Sequence, residues 1–457
     1  MLGVSPPSTD PGFLCVPLLV LPTHLSATFH GLTLNMSLTW DTRTVLASEA
    51  VLVSVHADDK KAGSTAEKPG RLGSINIWNY LISLSWDGSG HKSESETDYT
   101  KLRHFKAADF SSGWDAVAKH VGHGASYSVD KCTLNRTIDG KPVAVAVKKL
   151  KMFQGDGSRD EASAAASAAH QRSVATVLNE LRILTHPPLQ SHLNIVSLLG
   201  YRSEFTSPSS PHKINVSLVA EFAPFGTLKD FCQSLPPDQK LDLLTKAHLM
   251  HDIASGIEAL HKCAIAHGDV KMENTLVFEG YGRPYVAKLS DFGHSLVDLH
   301  TPERRSQVYL GTPIFNGPEI RSRSHLAPME PEALFKCDIY SFGLLSWELV
   351  LGGVRYYKTL GDILGTEDLT AVVSRLSALP KDELLFRSIT SLKDAHGSED
   401  VSLVQIVSRV LQASLKDEPH DREDAGQIVK YFRQQEALSD NLWMSVFYSL
   451  LQSFSLY

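Results

Sequence analysis

Apolar and polar positions divide the chain into a loosely patterned beginning and an orderly remainder. Up to about residue 110, Pro, Ser, Thr and Gly are frequent. Short apolar runs at 51–55 and 75–86 have the length of strands, and polar linkers at 58–73 and 87–100 separate them. From residue 114 the periodicity sharpens. Runs at 121–129, 142–150, 195–199 and 215–221 read as strands. The stretch 160–184 reads as a helix, with an Ala/Ser-rich lead followed by Val174, Val177, Leu178, Leu181 and Leu184 at helical spacing. After Gly226 the pattern turns helical, at 241–262, 337–351, 401–411 and 424–436. A strand-rich half followed by a helix-rich half, joined near 222–226, predicts an α+β chain of two lobes with a cleft between them. The run 442–451 is apolar but broken by Ser445, Tyr448 and Ser449, and reads as a packing helix in a tail over 437–457.

Composition narrows this picture only a little. At 457 residues the chain exceeds one typical domain, so a bilobal unit plus an extra segment would use the length. A net charge of -7 gives no reason to expect a nucleic-acid or membrane surface. Five scattered cysteines (Cys15, Cys132, Cys232, Cys263, Cys337) form no CxxC pair, which points away from a disulfide framework or a zinc ribbon and towards a reducing, cytoplasmic setting. The apolar stretch 13–21 follows Asp10, has no Lys or Arg before it, and is interrupted by Pro17. Those features argue against a signal peptide, and it is too short to span a bilayer.

The chemistry concentrates in a few places. Val145-Ala146-Val147-Lys148 sets a lysine on an apolar strand, and Glu180 lies polar among helical core positions. Taken alone, the first is an ordinary strand-end lysine and the second a surface glutamate. His267-Gly268-Asp269-Val270-Lys271-Met272-Glu273-Asn274 is more specific, and 17 residues after Asn274 comes Asp291-Phe292-Gly293. Transfer of a phosphoryl group needs a carboxylate beside the incoming hydroxyl, oxygens to hold a metal, and a cation on the triphosphate. These residues supply candidates for each, in one order. Gly293 is expected to let the backbone turn sharply after Asp291.

Together these motifs resemble the signature set of protein kinases. The likeness runs over about 121–432, and later motifs extend it. Gly317-Pro318-Glu319 resembles the end of an activation segment, Asp338 to Gly343 the start of a long central helix, and Arg422 the partner of Glu319. The resemblance implies a bilobal protein-kinase-like fold over 115–436, with a small β-rich N-lobe, a larger helical C-lobe and an unassigned N-terminal extension over 1–110. It also implies ATP and Mg2+, and protein substrates. By it, Asp269 accepts or orients the substrate proton, Lys271 neutralises the moving phosphoryl group, and Asn274 and Asp291 position magnesium. Lys148, held by Glu180, contacts the α- and β-phosphates under a loop carrying Gly122 and Gly124. Val129 and Ala146 cap the adenine from above and Leu276 from below, while Glu221 and Ala223 offer backbone hydrogen bonds in the joint. Ala220 falls at the gatekeeper, and Leu184, Leu198, His267 and Phe292 form a regulatory spine. Lys271 together with Gly311-Thr312-Pro313 resembles serine/threonine kinases, with a lean towards the tyrosine-kinase-like group.

Two departures stand out. Tyr127 takes the place of the third loop glycine, with a side chain expected to point away from the phosphates. Gly268 replaces the arginine that commonly precedes the catalytic aspartate and receives a phosphate, although Ser306 and Tyr309, beside Arg304 and Arg305, remain candidates for modification. The same departures favour an alternative, a pseudokinase serving as a nucleotide-binding or scaffolding module. A small-molecule kinase of similar fold is a third reading, opposed by the Gly-Pro-Glu and Thr312 signals.

Overall fold

The computed structural model describes residues 24–29, 32–37, 108–109, 119–123, 127–134, 143–150, 176–177, 179–205, 214–236, 239–299, 308–322, 329–363 and 368–434. The chain divides into two compact units, Met1–Ser54 and Val55–Tyr457. In the first, β1 (His24–Phe29) pairs antiparallel with β2 (Leu32–Ser37), registering His24 with Ser37 and Phe29 with Leu32. This hairpin falls in a region that the sequence pattern left without a fold. The strand-like runs at 51–55 and 75–86 and the tail helix at 437–457 lie outside the described residues.

The second unit is α+β with two lobes. Its N-lobe is a six-stranded sheet ordered β3-β7-β8-β6-β5-β4, made of β3 (Ala108–Asp109), β4 (Lys119–His123), β5 (Tyr127–Leu134), β6 (Val143–Leu150), β7 (Leu198–Phe205) and β8 (Ile214–Glu221). Side-chain alternation gives this sheet two characters. Cys132, Val145, Val147 and Val219 make one small core, while Ala146 and Lys148 point to the opposite face. The apolar run read at 121–129 resolves into the end of β4 and the start of β5, with a bulge between His120 and Gly122. The strand expected from residue 195 begins at Leu198, because Ile195 instead makes a lone parallel bridge to Leu289. Residues 176–177 and 179–184 are helical, and the rest of the predicted 160–184 helix lies outside the described residues.

The C-lobe is built around two long helices. Leu243–Lys262 is capped by Asp242, whose carboxylate accepts from Thr245 N at 2.7 Å. The central helix Pro331–Val350 is buried over nearly its whole length, with Trp347, Tyr340 and Phe342 among the largest enclosed side chains. It starts six residues before the predicted 337, since Pro331 is well suited to a first helical turn. Helices Glu383–His396, Val401–Ser414 and Ala425–Arg433 pack against these two, and Leu369–Ser377 packs against the short helix Pro318–Arg321. A hairpin, β9 (Thr275–Glu279) with β10 (Tyr285–Leu289), lies directly below the joint. Val277 N donates to Gly226 O at 2.9 Å, and Gly226 turns the joint at a φ of 71°. No helix among the described residues is long and apolar enough to cross a membrane.

Candidate active site

The upper wall of the cleft is one face of the sheet. Register pairs Val129 with Lys148, Ala146 with Ala220, Lys148 with Leu218 and Tyr127 with Leu150. Alternation therefore sets Tyr127, Val129, Ala146, Lys148 and Ala220 side by side. A Cβ on Gly122 would meet nothing within 4 Å, so the backbone there borders open space. Gly124 lies outside the described residues. Below, Leu276 on β9 is bridged to Thr227 across the joint. The Glu221 carboxylate, at the end of β8, accepts from Ser197 N at 2.7 Å and from Lys288 Nζ at 2.8 Å. It braces the joint against the hairpin while the Glu221 backbone stays in the wall.

Lys148 and Glu180 form an ion pair, and Glu180 is fully buried. Burial alone would lower the lysine's pKa, but the carboxylates of Glu180 and Asp291 outweigh it and raise the value. The helical stretch that carries Glu180 is tied to the segment after Asp291. Asn179 Nδ2 donates to Phe292 O at 3.1 Å and to Ser295 O at 2.7 Å, and Arg182 pairs with Asp298 at 2.9 Å. Neither tie was visible in the sequence, where Asn179 and Arg182 are simply the polar neighbours of Glu180.

The catalytic-loop candidates sit beneath. Asp269 Oδ2 accepts from Lys271 Nζ at 2.6 Å and from Asn274 Nδ2 at 2.8 Å, and Oδ1 accepts from the Thr312 hydroxyl at 2.6 Å. Lys271 also donates to Thr312 at 2.8 Å. Burial would raise the Asp269 pKa, yet the Lys271 ammonium and the Lys271 and Thr312 hydrogen bonds bring it below the ordinary carboxylate value, so the group is ionised at neutral pH. Asn274 gives its amide hydrogens to Asp269, one to the backbone oxygen at 2.9 Å, which leaves its Oδ1 to ligate a cation. Ser290 N donates to Asn274 O at 2.9 Å and brings Asp291 alongside. Among the described residues no group of three His, Cys, Asp or Glu side chains could hold a metal alone. The free Asn274 Oδ1 beside Asp291 suits an ion such as magnesium, which takes one or two protein oxygens and is completed by phosphates and water.

Asp338 organises the loop from below. This fully buried carboxylate accepts from His267 N at 2.7 Å, Gly268 N at 3.0 Å, the Tyr309 hydroxyl at 3.0 Å and His261 Nε2 at 3.0 Å. Leu184, Leu198, His267 and Phe292 are all buried, and the His267 and Phe292 rings lie 5.3 Å apart. Arg422, 2% exposed, grips Glu319 with two bonds of 2.7 and 2.8 Å.

Three expectations need correction, and that for Gly268 is extended. The sharp turn falls on Asp291, at φ 62°, rather than on Gly293. Gly293 is needed for space instead, since a Cβ there would lie 2.3 Å from Thr176 Cγ2. Gly268 is a backbone requirement as well as a missing arginine, with φ 80° and His294 O at 2.4 Å from any Cβ. Tyr309 is 3% exposed and bonded to Asp338, so it is no exposed modification site, while Ser306, Arg304 and Arg305 lie outside the described residues. Tyr127 points into the cleft, with its ring centroid 4.6 Å from Lys148 Nζ, because it shares the face of Val129.

The family model of the protein kinase domain matches residues 116–432. The chain belongs to the protein kinase family. Among curated relatives, its kinase domain is similar to a rice (Oryza sativa subsp. japonica) U-box domain-containing protein, 31% identical over 40% of this chain and 21% of that one. It is similar to the serine/threonine-protein kinase PBL27 of Arabidopsis thaliana, 32% identical over 36% of this chain and 29% of that one. A receptor-type guanylate cyclase of Caenorhabditis elegans is 26% identical over 64% of this chain and 21% of its own length. The match thus spans less than a third of each of these three relatives.

Proposed function

We propose that the chain is an ATP- and Mg2+-dependent protein kinase that phosphorylates Ser/Thr hydroxyls of protein substrates, with its kinase domain over 115–436 and a cytoplasmic place of action. One observation carries the reading: the Asp269 carboxylate is held by Lys271, Thr312 and Asn274 at 2.6 to 2.8 Å, beside Asp291. Ionised and fixed, Asp269 orients the incoming hydroxyl and takes up its proton as the bond to phosphorus forms. Lys271 stands within reach of the transferred group and offsets its charge. Lys148, kept charged by Glu180, receives the phosphates from above, and Asn274 and Asp291 hold the magnesium that neutralises them. Val129, Ala146 and Leu276 enclose the adenine, and the backbones of Glu221 and Ala223 offer it hydrogen bonds. The Lys271–Thr312 contact and the similarity to a serine/threonine kinase support the Ser/Thr assignment.

A second reading, a nucleotide-binding or scaffolding module on this fold, is favoured by the burial of Tyr127 against Lys148. The test incubates the purified chain with Mg2+, labelled ATP and a generic basic protein, beside Asp269→Asn, and separates the phosphoamino acids. Label on Ser and Thr with wild type alone is expected. Equal labelling by both proteins would contradict the enzyme reading, and label on Tyr would overturn its Ser/Thr part.

A further inference from the structure

Tyr127 opens β5, and strand alternation points it into the cleft on the face of Val129 and Lys148. Only 4% of it is exposed. Its ring lies 4.6 Å from Lys148 Nζ, where the positive charge meets the negative face of the aromatic system. Glu180 pairs with the same ammonium. The Glu180 carboxylate lies beside the Tyr127 hydroxyl as well. A phosphate on Lys148 must approach through the same side of the sheet, so ring and phosphate compete for one place.

We propose that Tyr127 is a displaceable stand-in for the nucleotide's phosphates: it positions Lys148 and Glu180 and must swing out before nucleotide can bind. The inference rests on the reading of this cleft as a nucleotide site. The neutral ring holds the ammonium through its quadrupole, a weaker attraction than a phosphate's full charges offer, so nucleotide can win the exchange. Burial and the carboxylates of Glu180 and Asp291 push the phenol pKa well above its usual value, which keeps the stand-in uncharged.

The consequence is an apparent affinity reduced by the fraction of molecules in which the ring is in place. Binding of a fluorescent ADP analogue with Mg2+ is titrated for wild type, Tyr127→Gly and Tyr127→Phe. Tyr127→Gly should bind about tenfold more tightly, as expected if the ring is in place in roughly nine molecules of ten. Tyr127→Phe, which keeps the ring over the ammonium, should bind less tightly than Tyr127→Gly. On wild type labelled with fluorotyrosine, the resonance missing from Tyr127→Phe should move to a solvent-exposed position when MgATP saturates. Binding by Tyr127→Gly no tighter than wild type, or a Tyr127 resonance unmoved at saturation, would overturn the stand-in while leaving the nucleotide site intact. Failure of both wild type and Tyr127→Gly to bind would overturn the stand-in and the nucleotide reading together.

Discussion

The two sides of the cleft are secured to different degrees. Below, Asp269 takes three side-chain hydrogen bonds, and Asp338 fastens the backbone of the two preceding residues while also binding Tyr309 and His261. Above, Lys148 rests between one carboxylate and one aromatic ring. On the proposed function, the group that would take the proton is redundantly held, whereas the group that would receive the phosphates has fewer partners. Pre-organisation is then concentrated where charge would move, and adaptability where nucleotide would enter.

The contrast can be broken most severely at Asp338. Asp338→Ala strips four donors of their acceptor in a fully buried place and should cost about 3–5 kcal/mol, a fall in Tm of roughly 5–7 °C by calorimetry. Close to wild-type Tm would mean that the loop is not held from below. Acid should weaken the same lobe. His248 and His251 are driven down to about 4 and about 3, first by burial and then by Arg283, from the usual 6.5. The unfolded chain therefore binds protons that the folded one refuses, and stability present above pH 6.5 is lost as pH falls towards 4. Replacing both histidines by Gln should flatten the Tm-versus-pH curve between pH 7 and 5, and an unchanged slope would refute this origin. Gly268→Ala sets a Cβ against His294 O in a left-handed backbone, with an expected loss of about 1–3 kcal/mol by denaturant titration. The smallest effect belongs to the upper side. Ala220→Met should leave ATP affinity within about threefold but abolish any preference for adenine analogues bearing bulky substituents, and analogue affinity that does not respond would displace Ala220 from the gatekeeper position.

The lower side was also the more legible in the sequence. Asp269, Lys271, Asn274 and Asp291 lie in short segments whose spacing is itself the signal, and the structure brings them together. What holds them was hidden, because the partners of Asp338 include backbone amides some 70 residues away. The helix Glu383–His396 went unremarked although Leu385, Ile389 and Leu392 keep an apolar period; its buried face also takes in Ser388 and His396. On the upper side Lys148 was expected to be held by Glu180, and the two form an ion pair. Tyr127 was misdirected because it was judged as a missing glycine rather than as the first inward residue of β5.

The central claim is that the chain transfers phosphoryl groups through Asp269. Its most direct measurement compares turnover of wild type and Asp269→Asn at saturating MgATP, with nucleotide affinity determined on the same samples. The account predicts affinities within about twofold of each other and a turnover lower by roughly 10²–10⁴ in the variant. Equal turnover at equal affinity would contradict it.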